Sequence, residues 1–234
     1  MTRVMKKAVV TIVCGELHRR LAQITQPTIR AYAQKLGAAW IAWDDYQGHT
    51  IPHYKKLDLG NLLDQYDRIL YVDNDILIRD DAPDIFALVP QNELGILDES
   101  PFVDRSAEVV PFMEHVKYDP AQWDRRYYNT GVMVLSKRHK NLFAPPPVEW
   151  DHGKEQTYLN VMISKTRTET FPLPFRFNRM LAMDSVLGED RFDCFFLHYA
   201  GVYQAYSEDE QLELVAGDLA VWQRRKPDYS FKAP

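Results

Sequence analysis

The first 80 residues alternate between two hydrophobic periods. Residues 8–14 (AVVTIVC) form an unbroken, largely β-branched run, the pattern of a strand buried on both faces. Residues 17–36 carry helical spacing, and Gly37 follows where a left-handed residue commonly closes a helix. Pro27 interrupts that pattern, so a short first helix or loop is expected ahead of the main one. Residues 38–43 (AAWIAW) predict a second strand. Residues 55–66 (KKLDLGNLLDQY) place apolar side chains at 59, 62, 63 and 66, a helical spacing. Residues 68–78 (RILYVDNDILI) predict a third strand with a polar triplet set into it. This βαβαβ order predicts a parallel, doubly wound sheet.

Further along, 94–98 (LGILD) and 128–136 (YNTGVMVLS) read as strands. The stretch between them, 99–127, reads as a long loop with a short helix. APPP at 144–147 is a breaker, and 155–165 is helical with Tyr158, Leu159, Met162 and Ile163 on one face. Residues 170–178 read as extended. Residues 194–201 (CFFLHYAG) read as a buried strand running into a polar turn. An amphipathic helix at about 208–225 closes the pattern, packed on the rest. No repeat or flexible linker divides the chain, so residues 1–234 are expected to form one domain.

Composition narrows the class. The chain has 234 residues, 46% apolar and 26% charged, with a formal net charge of −5. This is a globular composition, and the charge argues against a nucleic-acid partner. The two cysteines, Cys14 and Cys194, both sit in apolar stretches and read as reduced core thiols. The basic residues ahead of the first apolar run resemble a signal peptide, but Glu16 ends a run that is too short. No stretch approaches ~18 apolar residues, so a soluble, cytoplasmic protein is expected.

The sharpest chemical feature is Asp73-Asn74-Asp75, flanked by ILYV and ILI. Burying a carboxylate without a partner costs several kcal/mol, so a polar triplet inside a strand needs a reason. In an extended chain both Asp side chains point to one face and can serve a hard divalent cation. The competing reading is a strand end whose Asp residues cap a turn. His198 ends another apolar run, as a core histidine or as a ligand. Strand ends of open parallel sheets gather ligand sites, and an imidazole beside two carboxylates suits Mn²⁺ better than Mg²⁺. Lys55 and Lys56 are either a solvated helix start or cations directed at phosphate. Asn129-Thr130-Gly131 reads as turn chemistry, and Glu155 as the acidic residue favoured in a first helical turn.

Taken in order, YVDNDILI, YYNTGVMVL, EQTYLN and FLHYAG resemble the retaining glycosyltransferases of family 8, the glycogenin and lipopolysaccharide-galactosyltransferase group. The resemblance runs from about residue 8 to 201. It implies an α/β fold of GT-A type, with a mixed, mostly parallel sheet flanked by helices. It implies an enzyme that moves a hexose, galactose or glucose, from a nucleotide sugar such as a UDP-sugar to a glycan, lipid or protein acceptor. By similarity Asp73, Asp75 and His198 would ligate Mn²⁺, with Mg²⁺ as the substitute ion. Cys14, Gly15, Lys56, Asp73, Asn74 and Gly201 would contact the donor. Asn129, Glu155 and Gln156 would lie near the transferred sugar.

Two departures stand out. The family often has Asp-Gln where this chain has Glu155-Gln156. It also commonly carries Lys-Pro-Trp after the His-x-x-Gly turn, its Lys gripping phosphate, and here the chain continues GVYQAYSEDEQ. Lys55, Lys56 and the Arg224-Arg225-Lys226 run are the remaining cation candidates. The acceptor is expected against 99–127, with Trp123, Arg125, Arg126, Tyr127 and Tyr128. The segment VWQRRKPDYSF (221–231) suggests weak peripheral membrane contact or, alternatively, a helix packed on the domain. Two further readings remain: an inactive nucleotide-sugar-binding relative, and a phosphatase of the haloacid-dehalogenase type. The second of these usually has Thr or Val where Leu77 stands.

Overall fold

The computed structural model describes residues 4–146, 154–188 and 190–225. The chain runs β1 (Lys7–Ile12), α1 (Glu16–Lys35), β2 (Ala39–Trp43), α2 (Leu59–Leu62), β3 (Arg68–Val72), β4 (Ile76–Ile78), α3 (Ile85–Leu88) and β5 (Leu94–Asp98). It continues with α4 (Ser106–His115), β6 (Tyr128–Ser136), α5 (Lys154–Thr166), β7 (Thr170–Pro172), β8 (Arg179–Met180), α6 (Asp184–Leu187), β9 (Phe196–His198) and α7 (Glu208–Arg224). Six strands make one sheet in the order β2-β1-β3-β6-β5-β7, and β4-β9-β8 make a second, small sheet.

Strand periodicity sorts the core of the large sheet into two faces. Ala8, Val10, Ile69, Tyr71, Met133 and Leu135 pack on one side with residues of α4 and α5. Val9, Leu70, Val72, Val132 and Val134 face the other side, against Ile29, Tyr32, Ala33 and Leu36 at the end of α1. The N-terminal half of α1 instead joins α7 and β9, where Leu21, Leu197, Val215 and Trp222 are buried together. The expected α/β class and mostly parallel sheet are both present. β6, however, runs antiparallel to β3 and to β5. A run buried on both faces looks the same in either direction, so residue type does not reveal this.

Several local expectations need correction. The segment 68–78 is not one strand. It breaks at Asp73-Asn74-Asp75, so that β3 stays in the large sheet and β4 enters the small one. Pro27 lies inside an unbroken α1, whose buried Thr25, Ile29 and Tyr32 hold the helix through the missing hydrogen bond. Residues 52–58 form a 3-10 helix and only one α-turn follows, rather than a helix over 55–66. Of 170–178, only β7 is extended before a 3-10 turn at Phe175–Phe177. The buried strand expected over 194–201 is confined to β9.

Candidate metal and donor site

The turn between β3 and β4 is pinned from several elements. The backbone N–H of Asp73 donates to Gly131 O on β6 at 2.7 Å, and that of Tyr199 to Asp75 O at 3.0 Å. From α1, Thr25 Oγ1 donates to Asn74 O at 2.7 Å. Asn74 Nδ2 in turn donates to His18 O at 2.7 Å. Asn74, 3% exposed, thus fixes the turn through its carbonyl and Nδ2, while its Oδ1 is buried without a hydrogen-bond partner.

This turn brings Asp73 and Asp75 to His198 at the end of β9. His198 Nε2 lies 3.3 Å from Asp75 Oδ1 and 3.8 Å from Asp73 Oδ2. One donor atom from each of the three residues fits within 4.8 Å. Adjacent donors of an ion bound at about 2.1 Å lie roughly 3 Å apart, so two carboxylates and one imidazole at these separations suit a small divalent cation. The convergence does not require one extended strand, as the sequence pattern suggested. It arises because β4 and β9 pair directly, with Ile76 opposite His198.

Gly131 makes this approach possible. A Cβ built on it would run into Cε1 of His198 and come within 2.9 Å of Asp73 Oδ2. The neighbouring ladder is irregular at the same place. Ile96 pairs with Met133 and Leu97 with Asn129, so residues 130–132 have no partner on β5, while Val132 stays paired with Val72 of β3. Asn-Thr-Gly is thus part of β6, and its glycine serves close packing rather than a turn.

Lys56 is buried between the two acidic groups instead of opening a solvated helix. Its Nζ lies 3.1 Å from Asp73 Oδ1, 3.1 Å from Glu155 Oε1 and 3.3 Å from Thr130 Oγ1. Three donors meet three acceptors. Tyr71 OH also donates to Asp73 Oδ1 at 2.6 Å, while Oδ2 accepts from Lys56 Nζ at 3.5 Å and lies 3.8 Å from His198 Nε2. Burial works against the charged form of Lys56, but Asp73 and Glu155 outweigh it and raise its pKa. For Asp73, burial favours the neutral acid; Lys56 and then His198 overcome this and hold the pKa below the usual value. Burial opposes protonation of His198, and Asp75 and Asp73 reverse that, raising its pKa. Burial lowers the pKa of the nearby His53, with Glu155 acting in the other direction.

Of the remaining expected residues, Gln156 and Asn129 are linked to this centre by hydrogen bonds, through Thr130 and Asn178. Cys14, 7% exposed, and exposed Gly15 link β1 to α1, with Gly15 at φ 97°. Gly201 is left-handed at φ 77° and starts a 3-10 turn, Val202–Gln204, whose Tyr203 is exposed. Gln156 Oε1 accepts from Thr130 N at 3.0 Å. Asn129 faces inward: its Nδ2 donates to Glu99 Oε2 at 3.1 Å and its Oδ1 accepts from Gly131 N at 3.0 Å. Lys55 pairs with Asp58 at 3.0 Å and Asp45 at 3.5 Å. Arg225 pairs with Asp190 at 2.5 Å, and Lys226 lies outside the described residues.

In the segment expected to meet the acceptor, Trp123, Tyr127 and Tyr128 are buried, and Trp123, Asp124, Arg126 and Tyr128 line an open cleft of about 580 Å³ beside α5. Trp222 of the C-terminal segment faces inward, its Nε1 donating to Phe192 O, and residues 226–231 lie outside the described residues. No described helix is long and apolar enough to cross a membrane. Tyr71, Glu99 and Asn178 were not singled out from the sequence, and Thr130 entered only as part of the Asn-Thr-Gly turn. Only Tyr71 carried a usable signal, two residues before Asp73 on the same strand face.

Comparisons with known proteins agree with this architecture. The family model described as "Glycosyl transferase family 8" matches residues 44–205. A solved glycosyltransferase involved in glycosylation of the major capsid of PBCV-1 aligns with a TM-score of 0.58 at 14% identity, covering 89% of this chain and 98% of that one. The galactosyltransferase LgtC, solved with donor and acceptor sugar analogues, aligns at 0.53 and 15% identity over 94% of this chain and 98% of that one. Mouse xyloside xylosyltransferase 1 aligns at 0.52 and 14% identity, covering 84% and 98%. At these identities the likeness is one of fold. No curated protein sequence matches the chain.

Proposed function

Because the chain belongs to glycosyl transferase family 8 and is thereby a nucleotide-sugar glycosyltransferase of GT-A type, we propose that it transfers a hexose from a UDP-sugar to a carbohydrate-type acceptor, with Mn²⁺ and with retention of configuration. The observation that carries the metal part is the convergence of Asp73, Asp75 and His198. A divalent ion held there supplies Lewis-acid stabilisation of the leaving nucleoside diphosphate. Lys56 adds a positive charge against the same group of acids. With no Lys after the His-x-x-Gly turn, Lys56 is the cation best placed to meet a donor phosphate, by exchanging Asp73 for a phosphate oxygen.

The arrangement favours front-face attack over a covalent intermediate. Glu155 has Oε1 tied to Lys56, and the residue is 3% exposed. A nucleophile needs a free, accessible carboxylate. In the front-face reaction the acceptor hydroxyl oxygen bonds the anomeric carbon as the bond to the diphosphate breaks, and the proton passes to the departing phosphate. Gln156 and Thr130, at the bulge in β6, then shape the wall beside the sugar. Two buried, free cysteines suit a cytoplasmic setting.

The test is nucleotide release from a panel of UDP-, GDP-, CMP- and dTDP-sugars with and without Mn²⁺. Mn²⁺-dependent release from a UDP-hexose that disappears in Asp75→Ala is expected. Donor binding with no turnover under any acceptor would instead identify an inactive relative. Phosphate release from simple monoesters, without nucleotide preference, would sink the proposal.

A further inference from the structure

A single file of buried polar groups leads away from His198, and its polarity is set at the far end. His198 Nδ1 lies 2.7 Å from Asn178 Oδ1. Asn178 Nδ2 donates to Asn129 Oδ1 at 2.9 Å. That oxygen also accepts the backbone N–H of Gly131 at 3.0 Å, and Asn129 Nδ2 donates to Glu99 Oε2 at 3.1 Å. Glu99 Oε1 accepts from Arg105 Nε at 3.2 Å. His198, Asn178, Asn129 and Glu99 are each at least 95% buried, so water does not compete for these groups.

Two members of this file have no choice of role. A backbone N–H only donates, so the Asn129 atom facing Gly131 is the oxygen. A carboxylate paired with arginine only accepts, so the Asn129 atom facing Glu99 is the nitrogen. With Asn129 fixed at both ends, the Asn178 atom meeting its oxygen is the nitrogen. Asn178 therefore turns its own oxygen to His198, and Nδ1 must carry the hydrogen. In the neutral ring this leaves the lone pair of Nε2 pointing at Asp73 and Asp75, where a cation would sit.

We propose that Asn178 is a positioning residue that, with Asn129 and Glu99 behind it, holds His198 in the Nδ1–H tautomer and so prepares Nε2 to ligate a divalent cation. Outer partners that fix a ligand's tautomer in this way commonly carry 10–100-fold in metal affinity. The inference rests on reading Asp73, Asp75 and His198 as a metal site. The carboxylates alone would pull the other way, since Asp75 Oδ1, 3.3 Å from Nε2, invites a hydrogen there.

Titration of the full chain with Mn²⁺ alone, followed by the signal of free Mn²⁺ in electron paramagnetic resonance, tests this. Asn178→Leu is expected to weaken Mn²⁺ binding about 10–100-fold. Asn178→Asp still accepts the Nδ1 hydrogen and is expected to bind close to wild type. Both variants lose stability, because each breaks the bond to Asn129, so affinity and stability separate only if the tautomer is what matters. Equal weakening in both variants, or none in Asn178→Leu, would overturn the inference. Absence of Mn²⁺ binding by the wild type would overturn the metal reading itself, and this inference with it. A second measurement needs no variant: ¹⁵N correlation spectra of the metal-free wild type, at a pH where the ring is neutral, should place the His198 hydrogen on Nδ1. A hydrogen on Nε2 would refute the inference.

Discussion

Replacing Gly131 with alanine sets a methyl group against Cε1 of His198 and within 2.9 Å of both Asn129 Oδ1 and Asp73 Oδ2. Carbon atoms in contact settle near 3.5–4.0 Å, so the imidazole or the β6 backbone must give way by roughly 1 Å. A metal ligand tolerates about 0.2 Å, so the group would no longer close on one ion. A misplacement of about 1 Å at a reacting centre costs on the order of 100-fold in rate, and overpacking costs about 1–3 kcal/mol of stability. Gly95 is the matched control. Its Cβ would meet Val89 at 2.7 Å and Val134 at 3.0 Å, an equally crowded place in the apolar core. Both alanine variants should therefore lose comparable stability in urea denaturation, while only Gly131→Ala loses Mn²⁺ affinity and about two orders of magnitude in kcat/KM for nucleotide release. If Gly131→Ala keeps wild-type metal affinity and rate, the claim that this glycine exists to admit His198 and Asp73 is wrong.

Two further outcomes follow from buried charge. Lys56→Met leaves Glu155 and Asp73 without their shared cation, and breaking a buried pair typically costs about 3–5 kcal/mol; denaturation should show this loss, and adding Glu155→Gln should restore part of it. His139 is 3% exposed and accepts the Ser136 N–H at 2.9 Å through Nδ1. Burial, with help from Arg138 and Arg68, lowers its pKa to about 4. The unfolded ring titrates near 6.5 and so binds a proton first as pH falls; its contribution is complete above that value and is lost between about 6.5 and 4, at up to roughly 1.4 kcal/mol per pH unit. Urea midpoints of wild type and His139→Gln, which keeps an acceptor for Ser136, should differ in slope across that window.

Strands β1, β2, β3, β5 and β6 were legible because each is a dense apolar run, and the family motifs stood out on β3, β6, α5 and β9. The break at Asp73-Asn74-Asp75 was not legible: ILI continues the apolar run, and nothing in its composition says that it pairs with β9 instead of extending β3. What bends the chain is tertiary, from Thr25, the His18 carbonyl and Gly131. The three candidate ligands were found through residue type and family order, without their geometry. Lys56 could be read as a solvated helix start or as a phosphate-directed cation, and its burial between acids was hidden because those partners lie 17 and 99 residues away. Asn178 gave no sign at all, since its meaning lies entirely in what faces it.

The Asp-Asn-Asp turn is also a seam. Asp73 closes a strand of the large sheet, whereas Asp75 and His198 belong to the small one, and no ladder joins the two sheets among the described residues. A ligand that requires both sides stabilises only the docked arrangement, by mass action. A cation held by Asp73, Asp75 and His198 together would therefore make its own binding and the docking of the two sheets one linked equilibrium.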